Sequence, residues 1–423
     1  MLDPKFIREH PEKVKASLKK RQISDEIIDE WLNKDKKFRE LKTKLDSLRH
    51  ERNIVSEEIN KLNKAGKKDE VKKKVAQAKK IAEETKQAEE EIKTIEQILE
   101  KLYNSFPNLV NEKVTDKEKI IKTAGKTKSD KWKKDYLQIC NKFKWLDFET
   151  AAEMTGSGFM ILKDDAAHLL RAIANFCLDT AKKNGYQENY MPILLNKNSL
   201  FNTGHLPKFS DEMYNVQNEF YLSPTEEAGL INLFANKTLR EDELPKYVTA
   251  YMPSFRTEKG ATKGMIRMHQ FDEVELVKVV KPDQSMKELD KMVEAAIQPL
   301  KLLGLTYRIK LLAGWDLSTQ NSITYDIEVF SPRSGWLEVS SCSNSLDFQA
   351  RRARIFYLEK GERKLAHTLN GTGLGLNRLV IAVLENCQQK DGTIKIPTVL
   401  QKYIGKKTIG EKSKKPKSKK KAK

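Results

Sequence analysis

Apolar side chains in the first quarter of the chain recur at a helical period. Trp31, Phe38, Leu41, Leu45, Leu48, Val55, Ile59 and Leu62 are separated by 7, 3, 4, 3, 7, 4 and 3 positions. Val71, Val75, Ala78, Ala82, Thr85, Ala88, Ile92, Ile95, Leu99 and Leu102 then step almost entirely by 3 and 4. Both runs are a/d seams of a coiled coil sustained over several heptads. The spacing predicts two long helices within residues 27–104, broken at Lys64-Ala65-Gly66-Lys67-Lys68, where a glycine stops the first. Helices joined by so short a turn pack antiparallel. Arms of roughly 35 residues extend about 50 Å at about 1.5 Å per residue.

Pro107 ends the second helix. Residues 111–135 are polar and lysine-rich and read as a linker. Beyond them the pattern changes. Tyr247–Phe255, Met265–Val280, Tyr307–Leu312, Ile323–Phe330 and Leu337–Ser341 carry β-formers in alternation. Helical stretches are predicted at about 164–184, 284–303 and 373–388. Long strands not regularly separated by helices favour a mainly antiparallel sheet with helices packed on it, an α+β arrangement.

Composition sharpens this. The 423 residues are enough for two or three domains and a large core. No run approaches the roughly 20 apolar residues that a bilayer-spanning helix needs. The first residues lack the apolar stretch of a signal peptide. Cys140, Cys177, Cys342 and Cys387 lie far apart with no C-x-x-C pair, which argues against a disulfide framework or a zinc knuckle. A reducing cytoplasm is the expected compartment.

The net charge of +19 is unevenly placed: +9 over residues 1–150, zero over 151–400 and +10 over 401–423. Around the turn of the hairpin, residues 61–80 hold nine lysines against Asp69 and Glu70. Such a run reads either as a solvated helix face or as a surface for phosphates, and its place far from any core suits the second. The last segment, Lys412–Lys423, has almost no apolar residue and is expected to be disordered.

Three segments of the second half carry chemistry. Phe255-Arg256-Thr257-Glu258, the glycine-containing Lys259–Gly264 and the run Met265–Glu275 form a strand, loop, strand pattern. An arginine held by a sheet can fork onto a phosphate, and a ring on the same face can stack on a base. Taken alone, Arg256 and Glu258 read more readily as a surface pair and Phe271 as a core residue. Glu338-Val339-Ser340-Ser341-Cys342-Ser343-Asn344 offers the oxygen ligands that Mg²⁺ prefers, or a hydroxyl-rich strand edge. The glycines of His367–Arg378 suggest a nucleotide loop, although the dinucleotide fingerprint and the G-x-x-x-x-G-K-[ST] phosphate loop are both absent from the chain.

Together these segments resemble the class II aminoacyl-tRNA synthetases, and among them the seryl-tRNA synthetase family of bacterial type. Phe255–Glu258 with Ile266–Phe271 is similar to class II motif 2, Gly371–Arg378 to motif 3, and the segment up to Pro192 to motif 1. Glu338–Asn344 with Asp347-Phe348-Gln349-Ala350-Arg351-Arg352, and Ser223-Pro224-Thr225-Glu226-Glu227, resemble segments peculiar to the seryl enzyme. The resemblance covers essentially residues 1–405. It implies a class II antiparallel-sheet catalytic domain over 136–405 and an N-terminal tRNA-binding coiled-coil arm within 1–110, while the basic tail over 406–423, expected to be disordered, lies outside it.

It also implies an activity: L-serine is activated with Mg·ATP to seryl-adenylate and transferred to the 3′ end of tRNA(Ser), and also of tRNA(Sec). By resemblance, Arg256, Arg378 and Glu338 are the catalytic residues. Arg256 grips the α-phosphate, Arg378 the γ-phosphate, and Glu338 with Ser341 the Mg²⁺. Thr257, Glu258, Met268, Phe271, Val339 and Ser340 complete the ATP site. Thr225, Glu226, Glu227, Arg256, Glu275, Asn370 and Thr372 form the serine site, with Glu275 at the serine hydroxyl. The implied assembly is a homodimer with motif 1 at the interface, and no membrane partner.

Two departures stand out. Lys259–Gly264 is shorter than the usual motif 2 loop, and Gly158 stands where an arginine is common. Two rival readings remain. A paralogue that loads an amino acid onto a carrier protein would lack the long arm, and a non-catalytic RNA-binding relative would not need Arg256, Glu258, Glu338 and Arg378 intact.

Overall fold

The structure is a computed structural model that describes residues 1–410 except Ser129, Asn218, Lys259, Ala261 and Thr262. The chain divides into two compact units, one of Leu2–Phe106 and the other of Met1 with the chain from Pro107 onward.

In the first unit, α1 (Pro4–Glu9) and α2 (Pro11–Lys20) each begin on a proline, whose fixed φ suits the first helical turn. They precede two long helices, α3 (Glu26–Lys64) and α4 (Lys68–Ser105). The seams meet antiparallel: Leu45 packs on Ala88 and Ile92, while Leu48 and Val55 pack on Ile81. At about 1.5 Å per residue, the 39 residues of α3 extend about 58 Å. Gly66 makes the turn at φ +74° with open space around it. Trp31, Tyr103 and Phe106 form an aromatic cluster with ring centroids 6.2–6.4 Å apart at the other end. Asp35 is buried there between Arg8 (3.1 Å) and Arg39 (3.0 Å). Near the turn the seam opens: Val75, expected inside it, is exposed.

The second unit is built on an eight-stranded sheet. Its strands are β1 (Lys119–Ala124), β2 (Gln187–Asn189), β3 (Lys246–Phe255), β4 (Gln270–Val280), β5 (Tyr307–Leu311), β6 (Ile323–Ser331), β7 (Gly335–Asn344) and β8 (His367–Gly375). The order is β1-β5-β6-β7-β8-β4-β3-β2. All neighbours are antiparallel except β2, which runs parallel to β3. This is the mainly antiparallel sheet that the strand pattern predicts, with one parallel neighbour at its edge.

Alternation along β4 assigns its two faces. Val274, Leu276 and Val280 enter the main core, with residues of α5 (Asp164–Lys183), α8 (Ser285–Leu303) and α10 (Leu376–Asn386). On the other face Val277 and Val279 join a smaller core with Leu230 and Ile231 of α7 (Glu226–Asn232) and Ala350 of α9 (Phe348–Ala353). That second face also carries Phe271, Glu273 and Glu275, so the functional cleft opens on the side away from the main core. Between α5 and α7 lies α6 (Lys197–Thr203).

Four expectations change. Residues 111–135 are not a plain linker: Lys119–Ala124 is the sheet's edge strand, paired with β5. Its side chains are mostly exposed, which hid the strand behind lysines. The segment from 406 is not wholly tail, because Thr408–Ile409 pairs with Ile394–Lys395 and Ile409 is buried. Residues 411–423 lie outside the described residues. Met265–His269 is a turn rather than the start of β4. The glycines of His367–Arg378 form no loop. They lie in the central strand β8, because a Cβ at Gly371 would stand 2.9 Å from the Cys342 Sγ and one at Gly373 would stand 3.0 Å from the Val274 carbonyl oxygen.

Candidate active site

A cleft of about 380 Å³ lies at the ends of β3, β4, β7 and β8. It gathers every residue singled out from the sequence except Glu226 and Thr257. Thr257 is used otherwise: its hydroxyl donates to the Asp211 carbonyl (2.8 Å) and its N–H to the Glu212 carbonyl (3.0 Å). Glu226 is fully buried beside the cleft, with both carboxyl oxygens lacking a hydrogen-bond partner. Of the motif 2 loop Lys259–Gly264, residues 259, 261 and 262 lie outside the described residues.

One wall is cationic and aromatic. The Arg256 guanidinium stands 4.9 Å from the centre of the Phe271 ring, and its Nε donates to the Pro224 carbonyl (3.0 Å). That bond ties the end of β3 to the Ser223-Pro224-Thr225 turn. Across the cleft, Arg378 opens α10, donating from Nε to the Ile266 carbonyl (3.0 Å) and from Nη1 to the Glu338 carbonyl (2.7 Å). Glu258 sits at φ +46° and accepts from Arg267 Nε at 2.5 Å. Met268 is buried, its sulfur accepting from Asn377 Nδ2 at 3.7 Å. The carbonyl of Gly158 accepts the His269 N–H (3.0 Å), and Phe159 stacks on the His269 ring.

The other wall is acidic and buried. Thr225 caps α7, accepting from the Glu227 N–H at 3.3 Å. Glu227, Glu273 and Glu275 all line the cleft. Burial, and then the charge of Glu273, pushes Glu226 up to about 8 and holds Glu275 well above the carboxylate range. Burial also takes Glu227 up to about 7, against the opposing hydrogen bond from Gln349. Glu275 lies in register with Thr372 on β8, and its Oε2 has no partner. Asn370 Oδ1 beside it is also unpartnered. Buried polar atoms without partners are rare in folded proteins, and a set of them in one cleft marks the place of a polar ligand.

Glu338 and Ser341 lie on β7, with Val339 and Ser340 between them also lining the cleft. Asp326 on β6 is the registered partner of Ser341. Burial, and then the charge of Glu338, raises the Asp326 carboxyl to about 8.

Residues 208–387 match the family described as tRNA synthetase class II core domain (G, H, P, S and T), and residues 1–110 match the seryl-tRNA synthetase N-terminal domain. The serine–tRNA ligase of Nautilia profundicola is 41% identical over 419 residues, covering 96% of this chain and 100% of that protein. That of Hydrogenobaculum sp. is 42% identical over 418 residues, covering 96% and 99%.

The chain belongs to the seryl-tRNA synthetase family. It is an aminoacyl-tRNA ligase. Among solved structures, the seryl-tRNA synthetase from Pyrococcus horikoshii complexed with ATP matches with a TM-score of 0.89 at 30% identity, covering 97% of this chain and 99% of that one. No helix among the described residues is long and apolar enough to cross a membrane.

The fold adds residues to this synthetase's cleft that motif reading missed. His205, Phe209 and Met213 come from the segment after α6, and Ser318 and Gln320 from the turn before β6. His205 is held neutral, its pKa lowered to about 3 by burial and then by the Arg256 charge. Gln320 is buried with its Oε1 unpartnered. Glu273 was the one within reach of the sequence, since it shares the alternation of Phe271 and Glu275.

Proposed function

We propose that the enzyme activates L-serine with Mg·ATP to seryl-adenylate and transfers the seryl group to the 3′-terminal ribose of tRNA(Ser), and also of tRNA(Sec). The observation that carries this is the buried Glu275 carboxyl, unpartnered at Oε2 beside Thr372 and Asn370, at the acidic end of a cleft whose other wall holds Arg256, Phe271 and Arg378.

A small polar amino acid fits the acidic end. Thr225 and Glu227 take its ammonium group and Glu275 its hydroxyl, leaving the carboxylate directed at Arg256. ATP occupies the cationic end, with adenine on Phe271 near Met268 and Glu258. The serine carboxylate attacks the α-phosphorus directly, so no side chain serves as a covalent nucleophile. Negative charge grows on the α-phosphate oxygens, where a fixed guanidinium stabilises it more in the transition state than in the ground state. Arg256 supplies that charge, while Arg378 holds the γ-phosphate of the departing pyrophosphate.

Glu338 and Ser341 are oxygen donors of one strand, brought to the same face by the register shift opposite Ile327 and Glu328, with the Asp326 carboxyl across from Ser341, and an all-oxygen set suits Mg²⁺. Bound there, Mg²⁺ supplies charge neutralisation for the phosphates. Specificity comes from polar groups that only serine satisfies. Alanine leaves Glu275 unpaired, and threonine is excluded by volume. The basic turn of the arm takes phosphates of the tRNA, reading its shape, within a homodimer joined through motif 1.

Pyrophosphate exchange with serine, alanine, threonine and glycine tests the reading. Exchange with serine alone is the expected result, and no exchange with any of the four overturns it.

A further inference from the structure

Beneath the acidic wall, Gln349 of α9 has every hydrogen-bonding atom of its amide engaged. Its Nε2 donates to Glu227 Oε1 (2.5 Å) and to the Thr203 carbonyl (3.0 Å), and its Oε1 accepts from the Thr368 hydroxyl (2.7 Å). Gln349, Thr368 and Glu227 are all buried, and neither Gln349 nor Thr368 lines the cleft. Only one amide orientation is compatible with these partners. Turned over, the amide oxygen would face a carboxylate and a carbonyl, both acceptors.

We propose that Gln349, locked by Thr368, is a positioning residue that holds the Glu227 carboxylate aimed at the ammonium group of the amino-acid substrate. This rests on the reading above that Glu227 takes that group. The surroundings of Glu227 make such support necessary. Glu273 and Glu275 approach it from β4 and Glu226 from its own helix, while Arg256 beyond β3 is the cation nearby and His205 is neutral. Burial in this acidic company favours the protonated acid, which attracts an ammonium group poorly. The Gln349 donor opposes burial and supports the anion. Three elements thus form one relay: β8 supplies the hydroxyl that fixes the amide, α9 the amide, and α7 the carboxylate that the amide holds.

The test is serine-dependent pyrophosphate exchange across pH 6–9 for the full-length enzyme and for Thr368→Val, Thr368→Ser, Gln349→Met and Glu227→Gln. Thr368→Val and Gln349→Met are expected to raise the serine KM roughly 10-fold at neutral pH, the weight of a hydrogen bond to a charged group. The acid limb of kcat/KM for serine should move to higher pH, with the ATP KM unchanged. Thr368→Ser, which keeps the hydroxyl, should restore both. An unmoved serine KM and acid limb in folded Thr368→Val overturns the proposal, as does a loss shared equally with ATP. If Gln349→Met does not fold, the two Thr368 variants decide alone. Glu227→Gln separates the levels. If it leaves the serine KM unchanged, the amine reading itself fails. If it raises KM while Thr368→Val and Gln349→Met do not, only the positioning role fails.

Discussion

Glu275 and Thr372 face each other in register across β4 and β8, immediately after a bulge that shifts the pairing between Val274 and Glu275. The residue that the pairing skips is Gly373 of β8, so Thr372 comes opposite Glu275 while β4 keeps the alternation that places Phe271, Glu273 and Glu275 on the cleft wall. Glu275→Ala is therefore expected to raise the serine KM roughly 100-fold or more while sparing ATP, because it removes a group matched to the substrate hydroxyl. Separate titrations of serine and ATP measure this, and an equal loss of both rules the assignment out.

Glu226 makes a prediction about stability rather than catalysis. Burial, and then the charge of Glu273, raises its folded-state pKa to about 8 from the ordinary 4.5. The folded protein thus binds a proton more tightly than the unfolded chain. The stability this contributes is complete below about pH 4.5 and is lost as pH rises toward 8. Glu226→Gln keeps the shape and removes the titration. The variant should gain on the order of 4 kcal/mol relative to the parent between pH 5 and 8.5 in urea unfolding. A difference between the two proteins that does not vary with pH sinks the idea.

How much of this was visible in the sequence depended on where the signal lay. The arm was legible because an a/d seam is local and periodic, so its two helices end within a residue or two of the predicted limits. The cleft was legible where function demands particular residues in short runs, as from Arg256 to Glu258 and from Glu338 to Ser341. Thr257 and Glu226 sit inside such runs yet turn away from the cleft, because spacing does not state which neighbour a side chain will find. His205 and Gln320 come from two distant segments that only the folded sheet assembles, and Gln349, although it lies in a run already singled out, has partners at Thr203, Glu227 and Thr368 that spacing does not name. The strand Lys119–Ala124 was hidden for a simpler reason: an exposed edge strand has no buried face to impose alternation.

The arm carries a prediction that divides the two half-reactions. Its basic turn lies on a unit of its own, and the cleft lies wholly within the other. Replacing residues 30–102 by a short linker should abolish tRNA charging while leaving serine-dependent pyrophosphate exchange. Milder changes should act by degree. Lys72→Glu with Lys73→Glu should weaken tRNA binding across sequences and flatten its salt dependence, since fewer phosphate contacts release fewer counterions. Charging that survives the deletion would remove the arm from the reaction.

Gly373 tests whether the glycines of β8 serve the sheet or the substrate. A Cβ there would stand 3.0 Å from the Val274 carbonyl oxygen and 3.2 Å from the Leu276 Cγ. The first contact is backbone of the adjoining central strand, which has little room to yield. Gly375, two residues on, would place its Cβ 3.6 Å from the Val339 carbonyl oxygen, an ordinary contact. Gly373→Ala should therefore cost about 1–3 kcal/mol of stability by overpacking, and Gly375→Ala less than about 1 kcal/mol. Because Gly373 follows Thr372 directly, the strand shift should also displace that side chain from Glu275 and raise the serine KM more than the ATP KM. Thermal unfolding and exchange kinetics on the two variants measure both effects. Equal stability losses in the two would mean that close strand packing is not why β8 carries glycine at position 373.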